Sequence, residues 1–566
     1  MKRCPECRRD YYDESLMYCL DDGAALLDGP GSQDDTATAI LADSAGSEAP
    51  TRNQPQRNRE SSTTPLTAQA SGVSPRAKLL GALILVLVII VAGAFLAYRY
   101  MGNRDRPIQS IAVLPFRNES GNPDVEYLSD GMMESLINSL SALPNLSVKA
   151  RSSVFQYKGT ETTPQKIGSD LSVQAVLNGR VVQHGDDLVL YLSLVDTNSG
   201  NQIWGDEYDR KLTDILLLER EVTRDVLNKL RLRLTPADER ILTKNTTVSP
   251  EAYQLYLRGR FHVLKVTAAE IQTGISYYQQ AIQIDPNFAL AYVGIADGYR
   301  SLAIGAEMEP GEFMPKAKAA ALKAIDIDDG LAEGHAVLGF IIFWYDWDWN
   351  AAERQFKRAL ELDPNSAEAH LAYAHLLSNI GRSDEALAEA KKAIDLDPQN
   401  LRTAVLEGQF LMHGGKLDEA IDKLRKVADS DPSYWFPHSF LASAYIEKGM
   451  LPEAIAEGRK ATQLSPNQTI GPTFEAFALA KSGDQAEARA RLALLIDLSA
   501  KRFVPPYHIA LVYCGLRQND DALQWLQRGY EARDPKMVFL KIEPKWAGLR
   551  SDPRFQELIK RMNFPD

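Results

Sequence analysis

The sequence predicts an α/β domain followed by an all-α solenoid of stacked helix pairs, behind one membrane-spanning helix and a short cysteine-bearing amino terminus. Three observations carry this reading. Pro364, Pro398, Pro432 and Pro466 are evenly spaced and close the similar phrases ALELDP, AIDLDP, VADSDP and ATQLSP. A fixed period of about 34 residues marks helix pairs that cannot bury their apolar faces alone and must stack on their neighbours. The run 79–98 reads LLGALILVLVIIVAGAFLAY and carries no charge. Residues 107–235 alternate short apolar strands with helical spacing, the pattern of an α/β layer.

Composition narrows the function. At 566 residues the chain has room for several domains, and its net charge is −12 with no basic block. Nucleic-acid binding as the main task is therefore disfavoured, because phosphate contacts need clustered Lys and Arg. Only four cysteines occur, and the first three are Cys4, Cys7 and Cys19, which excludes a disulfide scaffold. The fourth, Cys514, reads as a small core residue of a repeat helix.

Residues 1–27 read MKRCPECRRDYYDESLMYCLDDGAALL. Cys4 and Cys7 form a CxxC pair. Cys19 opens a second half-site in which Asp22 stands where a second cysteine would, with Asp21 as its competitor. Zinc takes four tetrahedral ligands, and a carboxylate oxygen can be one of them. A peptide this small has no core, so bound metal would supply its folding energy. A redox dithiol, or no defined role, are the alternatives. The arrangement resembles the short zinc ribbons at the start of many bacterial membrane proteins. That resemblance implies one structural zinc on Cys4, Cys7, Cys19 and Asp22, with a departure from the four-cysteine pattern at Asp22.

Residues 28–75 are rich in Ser, Thr, Ala, Asp, Gln and Pro and read as a disordered tether. The run 79–98 that follows spans roughly 30 Å as a helix, enough for a bilayer core. Arg76 and Lys78 precede it; Arg99, Arg104 and Arg106 follow, so flanking charge does not favour an inside amino terminus. Thiolate zinc ligands need a reducing compartment. On that ground the expected topology is a single-pass inner-membrane protein, amino terminus in the cytoplasm and everything after Tyr98 outside.

In the α/β stretch, 111–116 (IAVLPF) reads as a strand, Tyr127 to Leu140 as a helix, Leu146 to Tyr157 as a strand and Pro164 to Leu171 as a short helix. Three strands follow over Val173–Gln183, Leu188–Asp196 and Gln202–Tyr208, then a helix from about Leu212 to Leu234. Leu188, Leu190, Leu192 and Leu194 alternate as a half-buried antiparallel strand should. Trp204 reads as a core anchor, and Gly131 as a close-packing position. The phrases IAVLPF, NESGNPDVEYLSDGMMESLINSL, VLNGRV and IWGDEYDRKLTDILLLEREV resemble the domain shared by the amino-terminal part of the Tol-system protein TolB and FlgO-type envelope proteins. The resemblance covers 107–235 and implies a non-catalytic envelope or sensory module.

Residues 249–533 divide into about eight helix pairs with the grammar of tetratricopeptide repeats. Small residues, such as Ala386, Ala420 and Ala454, sit where paired helices cross, and Pro ends the second helix because it cannot continue it. The first helix of each pair lines the concave face, which nominates Arg300, Leu371, His375, Arg402, Gln409, Phe436 and Ser443 as partner-binding residues. The lining is of mixed polarity, suited to an extended peptide or a protein edge. Trp344, Trp347 and Trp349 interrupt the period and read as packing for a distorted turn, with a carbohydrate or peptide platform as the alternative. Residues 534–566 read as a cap over the last apolar face.

Chemistry is not written here. The chain has no GxxxxGK[ST], HExxH or GxSxG, no kinase HRD or DFG, and no Gly-rich nucleotide loop after a strand. The expectation is a membrane-anchored, non-catalytic scaffold or receptor in the bacterial envelope, with no small-molecule substrate and no nucleic acid. The alternative is an accessory that regulates a separate adenylate cyclase, kinase or transcription factor.

Overall fold

A computed structural model describes residues 2–3, 10–11, 27–28, 107–143, 145–232, 235, 247 and 249–565. The chain divides into two units, 1–92 and 93–566. In the first, β1 (Lys2–Arg3) pairs antiparallel with both β2 (Asp10–Tyr11) and β3 (Leu27–Asp28). Cys4, Cys7, Cys19, Asp22, the tether and the expected span 79–98 lie outside the described residues. Among the described residues no helix is long and apolar enough to cross a membrane.

The second unit opens with a mixed sheet in the order β6-β4-β7-β8-β9. It uses β4 (Ser110–Val113), β6 (Ser147–Val148), β7 (Ala175–His184), β8 (Asp187–Asp196) and β9 (Gln202–Lys211), with β5 (Arg117–Asn118) beside β7. β4 runs parallel to β6 and β7, whereas β7, β8 and β9 form an antiparallel meander. Helices α1 (Glu126–Ser141) and α4 (Ile215–Lys229) bury Leu128, Met132 and Leu136, and Leu218, Val222 and Val226. Leu188, Leu190, Leu192 and Leu194 all face this core.

Two expectations change here. The strand read over 146–157 stops after Val148, and α2 (Arg151–Phe155) follows. The apolar residues alone could not show this, because Ser152 and Ser153 bond to Asp397, in a repeat far along the chain. Trp204 is only partly buried, edge-on to Tyr208, because β9 is the last strand of the sheet and only Tyr208 on it is buried. The expected helix 164–171 is α3 (Pro164–Leu171), capped by Thr163.

From Pro250 to Glu531 sixteen helices pair into eight hairpins: α5 (Pro250–Val263) with α6 (Ala268–Ile284), α7 (Ala289–Ile304) with α8 (Pro310–Ile327), and α9 (Ala332–Ile341) with α10 (Trp349–Leu362). Then come α11 (Ala367–Asn379) with α12 (Ser383–Leu396), α13 (Leu401–His413) with α14 (Leu417–Ser430), and α15 (Trp435–Lys448) with α16 (Leu451–Leu464). Last are α17 (Ile470–Ser482) with α18 (Gln485–Ser499) and α19 (Pro506–Gly515) with α20 (Asn519–Glu531). The period explains the packing. Ala386, Ala420, Ala454, Ala488 and Ala522 recur at the interval of the prolines, and each is fully buried at 0% exposure. Gly381, Gly415, Gly449 and Gly483 keep the same register in the hairpin turns with φ between +75° and +99°, a conformation that costs glycine nothing. Gly408 is held for closeness: a Cβ there would come within 2.8 Å of Leu424.

Polar contacts bind the α/β domain to this array. The Tyr253 hydroxyl on α5 donates to the buried Glu219 carboxylate (2.5 Å) and lies 2.9 Å from the Ser135 hydroxyl. Arg260 pairs with Glu134, and Leu257 packs where Gly131 leaves no room for a side chain. Farther along, Asn365 donates to the carbonyls of Ser141 and Leu143, and Lys149 donates to the Asp395 carbonyl at 2.9 Å. The Asp397 carboxylate accepts from both Ser152 and Ser153 at the start of α2. The sheet domain thus sits along the turns that the Asp-Pro phrases make.

Candidate protein-binding site

The period places side chains of the first helices in rows. His375, Gln409 and Ser443 share one register position on α11, α13 and α15; Leu371, Val405, Ser439 and Thr473 share a neighbouring one. Leu371, His375, Gln409 and Ser443 are buried, and a segment of the same chain accounts for part of that burial. Residues 534–552 leave α20 and run along this inner face as two short 3-10 turns, Pro535–Phe539 and Pro544–Trp546, before α21 (Pro553–Arg561). The Phe539 ring lies 6.0 Å from His375, 5.6 Å from Trp344 and 6.2 Å from His413. The Lys545 ammonium donates to the Ser443 hydroxyl at 2.6 Å and pairs with Glu543 and Glu447 at 2.9 and 3.2 Å. Trp546 is fully buried, 5.3 Å from Tyr507, to whose hydroxyl its ring nitrogen donates.

Arg300, Arg402 and Phe436 mark the part of the same face that solvent still reaches. Arg300 is held by Asp297 and lies 4.4 Å over the Phe340 ring. Arg402 pairs with Glu368 at 3.2 Å. Desolvation in the groove acts to raise the carboxyl of the exposed Glu368, but Arg402 and Arg300 outweigh it and hold it below its ordinary range. Phe436 stands edge-on to Tyr434 and Phe440 and tilted against Trp435. This open portion offers two paired guanidinium groups and an aromatic cluster, whereas the filled portion offers histidine, amide and hydroxyl groups.

Burial sets the proton chemistry of the filled portion. It holds His413 down at about 4 and His375 and His508 well below the usual imidazole range. It raises Asp534 to about 6 and raises Glu307. Glu307 belongs to the loop between α7 and α8, yet it accepts from the backbone and hydroxyl of Thr469, just before α17. The second hairpin of the array therefore touches the seventh.

The tryptophan run is not an exposed platform. Ile342–Asp346 form a π turn, and Trp347 takes a left-handed conformation with φ +60°. Trp344, Trp347 and Trp349 are all buried. Each grips the carboxy-terminal region: Trp344 meets Phe539, Trp347 meets Tyr530 with Arg533 over its ring, and Trp349 stacks on Phe564 and donates to the Met562 carbonyl. Residues 534–566 are only in part the expected end cap. α21 does lie on α20, with Phe555 and Leu558 buried, but the residues before it line the groove instead. The signal available was a stretch with Phe539, Lys545 and Trp546 that follows neither helical nor strand spacing.

His370 faces away from the groove, bonded to Glu389 and to the Pro364 carbonyl. Cys514 is buried with its thiol raised to about 11. Asp206 and Glu207 are exposed on β9. Among the described residues, no three His, Cys, Asp or Glu side chains are placed to share a metal ion.

Comparison with known proteins accords with this layout. Tetratricopeptide repeat models match residues 356–388 and 374–434. The second domain of HilA/YgeH-like transcriptional regulators matches residues 108–221, which cover nearly the whole sheet domain. Putative adenylate cyclase 3 of Rhizobium meliloti (strain 1021) is 34% identical over 239 residues, 42% of this chain and 40% of the relative. Transcriptional regulator HilA of Salmonella typhimurium is 24% identical over 217 residues, 37% of each chain. The chain thus spans about two fifths of the length of these curated relatives. Among solved structures, YrrB, a TPR protein with an unusual peptide-binding site, is 20% identical with a TM-score of 0.25, over 34% of this chain and 95% of that one. Yeast Tom70 is 14% identical with a TM-score of 0.36, over 61% and 83%. The chain carries tetratricopeptide repeats behind a mixed-sheet domain.

Proposed function

We propose that this chain is a membrane-anchored protein–protein interaction scaffold. Its repeats supply the binding face, and its sheet domain holds them in one arrangement. The observation that carries the reading is the row structure of the inner face, where the same helix position recurs in each repeat with a different side chain each time. Such a surface reads an extended protein segment one residue type at a time. Stacks of helix pairs present long concave surfaces and seldom do chemistry themselves.

The uncharged run 79–98 anchors the chain in a bacterial inner membrane, and the TolB-like and FlgO-like phrases of 107–235 suit an envelope location outside it. Zinc on Cys4, Cys7, Cys19 and Asp22 needs reduced thiolates, which suits an amino terminus on the cytoplasmic side. The partner engages the open part of the face at Arg300, Arg402 and Phe436, and Leu371, His375, Gln409 and Ser443 line its continuation. A second reading is favoured by the relatives, one named a putative adenylate cyclase and the other a transcriptional regulator. In it, the shared two fifths is an accessory module that controls an output of another kind.

Paired reporter fusions at Pro107 and after Asp566, one active only outside and one only inside, separate the two. Outside signal at both, with photo-crosslinks from positions 402 and 436 to envelope proteins, supports the scaffold. Inside signal at both sinks the envelope location and leaves the signalling accessory.

A further inference from the structure

Four observations set residues 534–552 apart from an ordinary cap. First, the segment joins the groove through buried ions as well as apolar groups. Lys545 is paired with Glu447 and Glu543, and the half-buried Lys536 lies over the Trp344 ring, where Glu307 and Asp534 act to raise its proton affinity against desolvation. Second, the groove keeps polar atoms that the segment does not satisfy. His375 Nε2, Gln409 Oε1 and Ser439 Oγ are buried without a hydrogen-bond partner, on side chains no more than 6% exposed. An unmet buried polar group is costly, so a segment that meets these three gains on the strap at this place.

Third, the segment is tied down at both ends and forms turns but no regular helix or strand between them, with Met537, Val538, Leu540 and Trp546 fully buried. Trp347 holds Arg533 and Tyr530 at one end; Trp349 holds Met562 and Phe564 at the other. The stretch between contains only two short 3-10 turns. Fourth, a cleft of about 620 Å³ runs beside Lys545, lined by Leu417, Ile446, Glu447, Phe477 and Arg517 among others.

We infer that residues 534–552 are an intramolecular ligand: a strap that occupies the filled half of the groove and is exchanged for the partner segment. The inference rests on the reading of the inner face as a protein-binding site. It adds the chemistry of the partner that displaces the strap, an extended segment with an aromatic residue for the Phe539 niche and a cation for Ser443 and Glu447. Its backbone donors meet Gln409. Tethering at both ends keeps the strap at high local concentration, so only a partner of matching chemistry opens it.

Hydrogen exchange on the full chain tests this, alone and with a synthetic peptide of residues 535–549 added in trans. The expected result is that strap amides exchange by a local opening about 100-fold faster than those of α13 and α15, and that the peptide raises the strap's exchange further. Phe539→Ala should speed strap exchange about 10-fold with α13 unchanged. Strap amides that exchange only together with α13 and α15, or a variant that speeds both equally, would overturn the inference. Because no partner is present, that result leaves the scaffold reading standing; crosslinking from 402 and 436 judges the latter separately.

Discussion

The joint between the sheet domain and the repeats and the contact between the repeats and the strap use the same side-chain types to different ends. At the joint, Ser152 and Ser153 share Asp397, Tyr253 meets Glu219, and Asn365 spans two carbonyls, while Glu219 Oε1 and Arg151 Nε keep no hydrogen-bond partner. At the strap, His375, Gln409 and Ser439 stay unmatched while buried ions carry the contact. An unmatched buried polar group leaves free energy for a competitor to claim, and at the strap three of them line one groove. The joint spreads its bonds over α1, α2 and α4, whereas the strap contact gathers its ions at Lys545, and on the inference above the strap is the exchangeable part.

The largest expected effect falls on the strap. Lys545→Ala strands Glu447 and Glu543 without their cation, at a cost of about 3–5 kcal/mol. Hydrogen exchange should then show the strap opened and α5 unchanged; equal loss at both places would erase the contrast. Next comes the proton response of the joint. Burial raises Glu219 to about 7 from the ordinary carboxyl value of 4.5. The folded state holds that proton more tightly than the unfolded chain, so stability falls as pH rises from about 4.5 to about 7 and is level above. The loss is on the order of 3 kcal/mol. Glu219→Gln should flatten denaturation midpoints across that window, and an unchanged slope would remove Glu219 from the joint. The strap contact should respond less, because its lowered histidines lose stability as pH falls below 6.5 while raised Asp534 and Glu307 lose it as pH rises.

Asp397→Ala leaves Ser152 and Ser153 without their acceptor, and about 2 kcal/mol of joint stability should go with it. Thermal melting should show the sheet domain released first. The smallest change is Trp349→Phe, which keeps the stack on Phe564 but loses the bond to the Met562 carbonyl, about 1 kcal/mol. It should raise exchange near Met562 only.

The repeats were legible because their physics is local. Ala386, Ala420 and Ala454 can be counted off the sequence, and their burial follows from the period alone. So were α3, announced by Pro164 after a capping Thr163, and the leucine alternation of β8. What could not be read were contacts between distant segments. Nothing near Ser152 announces Asp397, and that pairing turns an expected strand into α2. The tryptophan run reads correctly as packing for a distorted turn, but nothing near Trp344 announces that Phe539 is what it packs against. The inner-face positions were assignable by register, but which of them solvent reaches depended on a segment as distant in sequence as Lys545 is from Ser443.

The most direct test of the joint is scanning calorimetry of the full chain at pH 6, beside Asp397→Ala and Tyr253→Phe. A single cooperative transition for sheet domain and repeats, split in two by either substitution, is the expected result. Two transitions already present in the unaltered chain, with the sheet domain melting at the same temperature in all three proteins, would contradict it.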